Sequence, residues 1–442
     1  MPKATFHFPR GFLWGTATSS HQVEGNNTNN NWWVWEHEPG HILNGDKSGL
    51  ACDWWGGRWR EDFDRAQEGG QNAHRFSIEW SRVQPLPDKW DEDALDHYRE
   101  MARGLRERNM TSLITLHHFT DPLWLADSGG WESESIVQLF ASYATRVVEA
   151  LQEYNNLWVT INEPNLVAIF GYLLGAWPPG KKSFITLAPV IENILRAHAA
   201  AYHAIHQVQK TARVGMAHHY RSALPAKAWF PLDQFARSIQ VDFLNEIFPL
   251  SLQQGCLRWP LRWKKLLEIK GTQDFLGLNY YTQELVAFNL FKPNYLFTNR
   301  YFRPGADLSE NQWIANEPDG LYEALSWARK FNLPIIITEN GVEDSQGKLG
   351  PRYMIQHIHK VWRAVNFNWP VRGYFWWTLV DNFEWERGWS QRYGLWELNV
   401  ETQTRRKRAA ADLYAAICRE NGISSEMAEQ YAPEIFQNLF PG

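Results

Sequence analysis

The chain has 442 residues and a net charge of −5, with 44% hydrophobic and 21% charged residues. That balance describes a globular protein with a large core, and the absence of a long basic stripe argues against nucleic acid as a partner. The three cysteines, Cys52, Cys256 and Cys418, are odd in number and far apart, which excludes a disulfide framework or metal cluster as the expectation and fits a reducing, cytoplasmic compartment.

At the N-terminus, MPKATFHFPRGF lacks the apolar stretch of a secretory signal, and no later run approaches the ~18 apolar residues of a membrane span. Short apolar runs of β character then recur at residues 11–19, 73–80, 111–118, 157–164, 212–220, 274–282, 333–341 and 372–381. Between them, residues 91–109, 135–154 and 187–209 carry apolar side chains at helical spacing. Strands alternating with helices predict a closed (β/α)8 barrel or a large doubly wound sheet. No glycine-rich phosphate loop follows the first strand, against the nucleotide-binding version.

Unusual polar residues decide between the two. They gather at the C-terminal ends of the runs: His117 and His118, Asn162 and Glu163, His218 and His219, Asn279 to Tyr281, Glu339, and Asp381 to Glu384. In a barrel those ends converge on one face, where an active site is built. The long connections 20–58 and 283–320, rich in aromatics, glycine and asparagine, are expected to wall the mouth of a pocket. The basic run Arg405–Arg408 reads as a solvated face or a local ion-pair region.

The chain carries 25 tryptophans. Their broad apolar faces suit the C–H faces of sugar rings, and the clusters at 31–37, 52–59 and 374–389 are expected to send some of them into a wet pocket. Residues 333–341, LPIIITENG, place a glutamate and a turn glycine at the end of a strand that reads as buried on both faces. Glu163 ends the fourth run in the same way. Alone, each could be a strand-end carboxylate paired with arginine. Together, beside tryptophan, they are the pair that glycosidic cleavage requires.

With these residues in view, the chain resembles family 1 glycoside hydrolases, the β-glucosidase and β-galactosidase family, from about residue 6 to 418. The segments that carry the resemblance are FLWGTATSSHQVEG (12–25), HRFSIEWSRVQP (74–85), LHHF (116–119), TINEP (160–164), GLNYY (277–281), ITENG (337–341) and DNFEWERGWSQRYGL (381–395). The resemblance implies one (β/α)8 TIM barrel domain over residues 1–442, long βα loops around the pocket, and retention of anomeric configuration. It makes Glu339 the nucleophile, kept ionised by Arg75 and Tyr281, and Glu163 the acid/base, its proton favoured by the neighbouring anion. The two carboxyl groups would stand about 5–5.5 Å apart, the retaining separation.

By the same resemblance, Asn162 holds the sugar 2-OH, Gln22, His118, Asn279, Glu384 and Trp385 grip the other hydroxyls, and Trp377 stacks beneath the ring. Glu384 as an anion would repel phosphate, which predicts unphosphorylated substrates: β-glucosides, with β-galactosides and β-fucosides beside them, and short oligosaccharides such as cellobiose. His117 and His118 make a poor metal chelate, because neighbours in a strand point to opposite faces. No metal, cofactor, nucleic acid or membrane is expected to take part. His219 and Trp313 are candidates for the pocket rim. Phe119, Trp389 and the loop NNTNNNWWVWEH depart from the common pattern and leave sugar and aglycone preference open, as they do hydrolysis against transfer to an acceptor. A sugar-binding barrel without catalysis would lack one of the two glutamates.

Overall fold

The computed structural model describes residues 4–258, 261 and 263–441. The eight runs form parallel strands: β1 (Leu13–Ala17), β2 (Ala73–Ser77), β3 (Thr111–His117), β4 (Leu157–Asn162), β5 (Arg213–His219), β6 (Phe275–Asn279), β7 (Ile335–Asn340) and β8 (Val371–Trp377). They close into a barrel in sequence order, β8 pairing back onto β1 through Gly373–Leu13 to Trp377–Ala17. The doubly wound alternative is thereby excluded.

Helices return the chain after each strand: α1 (Trp59–Glu68), α2 (Glu92–Glu107), α3 (Ile136–Leu151), α4 (Phe184–Val208), α5 (Pro231–Val241), α6 (Ile247–Gln254), α7 (Pro318–Ala328), α8 (Gly350–Asn366) and α9 (Ala409–Glu420). Asp91 starts α2 by accepting from Ala94 N at 3.0 Å, the cap that a short acidic side chain supplies to unpaired helix N–H groups. α4 begins three residues earlier than its apolar periodicity suggests, because Ser183 caps it and the helix runs through Pro189.

The apolar layer lies between strands and helices. Ile335, Ile336 and Ile337 are all buried and share a cluster with Leu276 and Leu278 of β6 and Tyr353 and Ile358 of α8. Burial on both faces explains why β7 reads as a continuous apolar run rather than an alternating one. The connection 283–320 is only partly loop. Its Gln283–Phe288 and Thr298–Tyr301 form a small sheet with Ser222–Pro225, the segment that follows β5. Thr5–His7 pairs with Gly422–Ser424, the short strand that follows α9. Among the described residues, no helix is long and apolar enough to cross a membrane.

Candidate active site

Glu339 is the penultimate residue of β7, and Gly341 is needed directly behind the strand. A Cβ on Gly341 would sit 2.1 Å from the carbonyl oxygen of Trp377 at the end of β8. Asn340 faces away from the barrel centre. Its amide donates to Tyr280 O at 2.7 Å and to Tyr353 Oη at 2.9 Å, and its oxygen accepts from Tyr374 Oη at 2.8 Å. Asn340 therefore fixes the end of the strand and leaves Glu339 to face the centre.

Glu339 Oε1 accepts from Arg75 Nη1 at 2.6 Å, and Oε2 accepts from Tyr281 Oη at 2.6 Å. Arg75 is fully buried on β2, and its other donors reach Thr115 Oγ1, Thr338 O and Asn162 Oδ1. A buried guanidinium is tolerable only when paired and hydrogen-bonded in this way. Asn279 Nδ2 donates to Asn162 Oδ1 at 3.1 Å and to Glu163 Oε1 at 2.8 Å. A continuous chain of hydrogen bonds thus runs Glu339–Arg75–Asn162–Asn279–Glu163 and couples the two carboxyl groups through rigid strand ends.

Glu163 follows β4 with φ 44° and ψ 58°, left-handed backbone that a glutamate rarely adopts. Its N–H still pairs with Ala217 O at 2.8 Å, and Pro164 starts a short helix immediately after. Strain of this kind, on the order of 1–3 kcal/mol, persists where the surroundings over-determine the conformation. His219 Nδ1 lies 2.9 Å from Glu163 Oε1, so two groups converge on that one oxygen and leave Oε2 outside these contacts.

The two carboxyl groups are electrostatically linked. Burial and the Glu163 charge lift Glu339 to about 7, against the pull of Arg75 and the Tyr281 hydrogen bond. Burial, together with the Glu339 and Glu163 charges, holds the Tyr281 phenol well above its usual range, so it remains a donor. Burial likewise keeps His118 neutral. His118 Nε2 accepts from Asn162 Nδ2 at 3.1 Å, which puts its proton on Nδ1, a buried atom with no protein partner.

Around the pair lies a cavity of about 300 Å³, lined by His118, Glu163, Tyr281, Glu339, Trp377, Glu384 and Trp385 among others. Trp377 and Trp385 each lie near-parallel to the His118 ring, with centroids 5.9 and 6.0 Å away. Arg75, Asn162, Asn279 and Gln22 are buried behind this wall. Gln22 Nε2 donates to Phe383 O at 2.7 Å and to Glu384 Oε2 at 3.3 Å, and Ser19 Oγ donates to its oxygen. It braces Glu384. Burial and the charges of Glu386, Glu339 and Glu163 push Glu384 well above the carboxylate range.

His219 and Trp313 both reach the cavity. The Arg387 guanidinium lies 3.4 Å from the Trp313 ring centroid. His117 and His218 turn away, to Asp121 at 3.0 Å and Gln273 at 3.3 Å, as adjacent strand residues must. Among the tryptophan clusters, only 374–389 supplies lining residues. Trp54, Trp55 and Trp59 instead pack with Phe63, His74, His97 and Tyr98, and Trp32 lies beneath Trp385 and Trp177. The departures have structural places too. Phe119 packs on Trp177 and Trp385, and Trp389 joins the first long loop through Asp46 Oδ2 and Lys47 O.

Leu166, Phe170 and Trp177, along with Arg221, Arg300 and Glu386, also line the cavity without having stood out in the sequence. Leu166 and Phe170 lie in an unbroken apolar stretch and Trp177 in the turn before Pro178, with no polar strand end to mark them, and the arginines carry no local signal. Glu386 alone sits inside a quoted segment. Its carboxyl accepts from Trp177 Nε1 at 2.7 Å.

The family profile described as Glycosyl hydrolase family 1 matches residues 4–423. The 1,4-beta-D-glucan glucohydrolase of Thermotoga neapolitana is 33% identical over 445 residues, covering 94% of this chain and 99% of that protein. Among solved structures, the beta-glycosidase from Pyrococcus horikoshii superposes with a TM-score of 0.90 at 35% identity over 97% of this chain and 98% of that one. The beta-glucosidase from Thermotoga maritima in complex with glucoimidazole gives 0.89 at 30% identity over 95% and 100%.

Proposed function

The chain belongs to glycosyl hydrolase family 1, and from that premise we propose a retaining exo-β-glycosidase in which Glu339 is the nucleophile and Glu163 the acid/base. One observation carries the assignment: a guanidinium and a phenol both donate to Glu339, whereas Glu163 meets an amide and an imidazole on a single oxygen. Burial raises Glu339, but a cation beside a carboxylate favours its charged form, and only Glu339 accepts from a guanidinium, so we assign the proton delivered in catalysis to Glu163.

Glu339 then attacks the anomeric carbon while the proton passes from Glu163 Oε2 to the leaving oxygen. Glycosylation removes the Glu339 charge, and Glu163 becomes the base that takes a proton from water. The step needs neither metal nor organic cofactor. Asn162, braced by Arg75 and Asn279, holds the 2-OH; His118 Nδ1 and Glu384 take other hydroxyls, and Trp377 supports the ring. The substrates are terminal β-D-glucosides, with β-galactosides and β-fucosides alongside, and short oligosaccharides such as cellobiose. Residues 1–442 act as one barrel domain, a reading supported by the pairing of Thr5–His7 with Gly422–Ser424, and the three free cysteines fit a cytoplasmic location.

The test is kcat/KM on matched aryl β-glucoside, β-galactoside, β-fucoside and 6-phosphoglucoside, with Glu339→Gly alongside. Loss of the nucleophile should lower kcat by a factor on the order of 10⁶, and azide should restore turnover as an α-glycosyl azide. A Glu339→Gly enzyme of full activity would sink the mechanism. A preference for the phosphorylated sugar would sink the substrate class.

A further inference from the structure

The small sheet beside the barrel brings two cations and one anion to the pocket wall. Arg221 precedes its first strand (Ser222–Pro225), Glu284 lies in the middle strand (Gln283–Phe288), and Arg300 lies in an edge strand (Thr298–Tyr301). Arg221 Nε and Nη2 donate to the two oxygens of Glu284, each at 2.7 Å. Burial opposes the Glu284 charge, yet Arg221 outweighs it and holds the carboxyl at about 2. Arg221 and Glu284 thus form a complete bidentate pair that stays ionised at neutral pH.

Arg300 is left over. Its Nη1 lies 3.6 Å from Glu284 Oε2, too long for a hydrogen bond, and its guanidinium forms none elsewhere among the described residues. The side chain is 25% exposed and lines the same cavity as Glu163. The Arg221 charge, aided by burial, lowers Arg300 to about 10, as happens to a cation with too little negative charge beside it. A guanidinium has five N–H donors and no means of shedding its charge at neutral pH, so this one is suited to take an anion from outside the protein. Arg387, the third arginine on the cavity wall, is already matched: its Nε lies 3.4 Å from Glu386 Oε1, and its guanidinium covers the Trp313 ring.

The cluster stands beside the proton donor. Arg221 comes two residues after His219, whose Nδ1 is 2.9 Å from Glu163 Oε1. Burial disfavours the Arg221 charge, while Glu284 and, to a smaller degree, Glu163 favour it. Glu163 hands its proton to the departing oxygen, so the part of the substrate nearest these arginines is the aglycone.

We propose that Arg300 recognises an anion on the aglycone, and that the enzyme prefers β-glycosides whose leaving group carries a carboxylate. The inference rests on the reading of Glu163 and Glu339 as the cleaving pair. Two cations and one anion leave a single positive charge, which a monoanion neutralises, and the planar fork of a guanidinium fits a carboxylate. In the reaction the anomeric C–O bond breaks and the Glu163 proton goes to the departing oxygen. Water then adds its hydroxyl to the sugar and returns a proton to Glu163, and the aglycone carboxylate is bound but unchanged.

The experiment compares the β-glucosides of hydroxyphenylacetic acid and hydroxyphenylacetamide, as para and meta isomers, with 4-nitrophenyl β-glucoside as reference. A methylene separates the charge from the ring, so acid and amide leave as phenols of similar acidity. For at least one isomer, kcat/KM should favour the acid about 10-fold at low salt, as one charge-assisted hydrogen bond at a partly exposed site would give. The ratio should shrink as salt screens the pair. Arg300→Gln should bring it near 1, and Arg300→Lys, which keeps the charge without the fork, should retain part of it. Calorimetry of acid and amide on Glu339→Gly reads the same preference without turnover. A ratio near 1 for both isomers in the wild-type enzyme would overturn the proposal, as would a preference undiminished in folded Arg300→Gln or, where that variant does not fold, in Arg300→Lys. Failure to cleave the nitrophenyl glucoside strikes the assigned reaction instead, and the calorimetric preference then judges Arg300 alone.

Discussion

Glu163 and Glu339 hold their protons as a pair, so pH acts on both at once. Glu339, lifted by burial to about 7, binds its proton more tightly folded than unfolded. The sign follows: its contribution to stability is fully present below the ordinary value of 4.5 and is lost as pH rises through about 7. For catalysis, the proton that matters is the one delivered to the leaving group. We expect kcat/KM to fall on the basic side, and Glu163→Gln, assayed with a dinitrophenyl leaving group that needs no acid, to lose that limb. A limb unchanged in Glu163→Gln would place the titration elsewhere. His219 is the second donor candidate on Glu163 Oε1. His219→Leu should slow poor leaving groups about 10-fold, the worth of one hydrogen bond, with little effect on dinitrophenyl glucoside, and His219→Asn should recover most of the loss. Equal loss on both substrates would make His219 a packing residue. His219 was a rim candidate in the sequence, but its contact with Glu163 Oε1 depends on how β5 faces the barrel centre.

At the scale of elements, the strands were legible because parallel strands buried on both faces leave unbroken apolar runs. The end of β7 is the most constrained junction. Gly341 touches the Trp377 carbonyl so closely that Gly341→Ala must displace β7 from β8. Misplacing a reacting carboxylate by an ångström costs about 100-fold, so Gly341→Ala should lower kcat by that factor with a smaller change in KM. Wild-type kcat in a folded Gly341→Ala protein would show that the strand end has slack. Elements were misread where local pattern and tertiary contact disagree. The tryptophans of 52–59 look like those of 374–389 in composition, yet they pack against α1 and α2 because no strand end delivers them to the pocket. The π-helical turns Ile169–Leu173 and Asp242–Glu246 leave no periodic trace, since one inserted residue merely shifts an apolar face.

Across the whole molecule, the basic run near the C-terminus shows how distant segments close the barrel. Arg408 makes two bonds of 2.7 Å to Asp381, and Arg405 reaches Asp62 at 3.1 Å, while Arg406 and Lys407 pair at the surface with Glu397 and Asp412. The expected ion-pair region is present, and half of it is buried. Arg408→Ala leaves the buried Asp381 carboxylate without its bidentate partner and should destabilise the fold by about 3 kcal/mol, measured by chemical denaturation; a loss below about 1 kcal/mol would mean that Arg392, 3.9 Å from Asp381, takes over. The sequence by itself determined the barrel, its strand order and the identity of the polar strand ends, because burial and side-chain alternation are local properties of a strand. Only the tertiary structure decided how those polar groups are held: that Asn279 joins Asn162 to Glu163, that His219 reaches the same Glu163 oxygen, and that Asn340 and His218 turn outward. Contacts between residues far apart in the chain depend on how the barrel closes, and no local pattern encodes that.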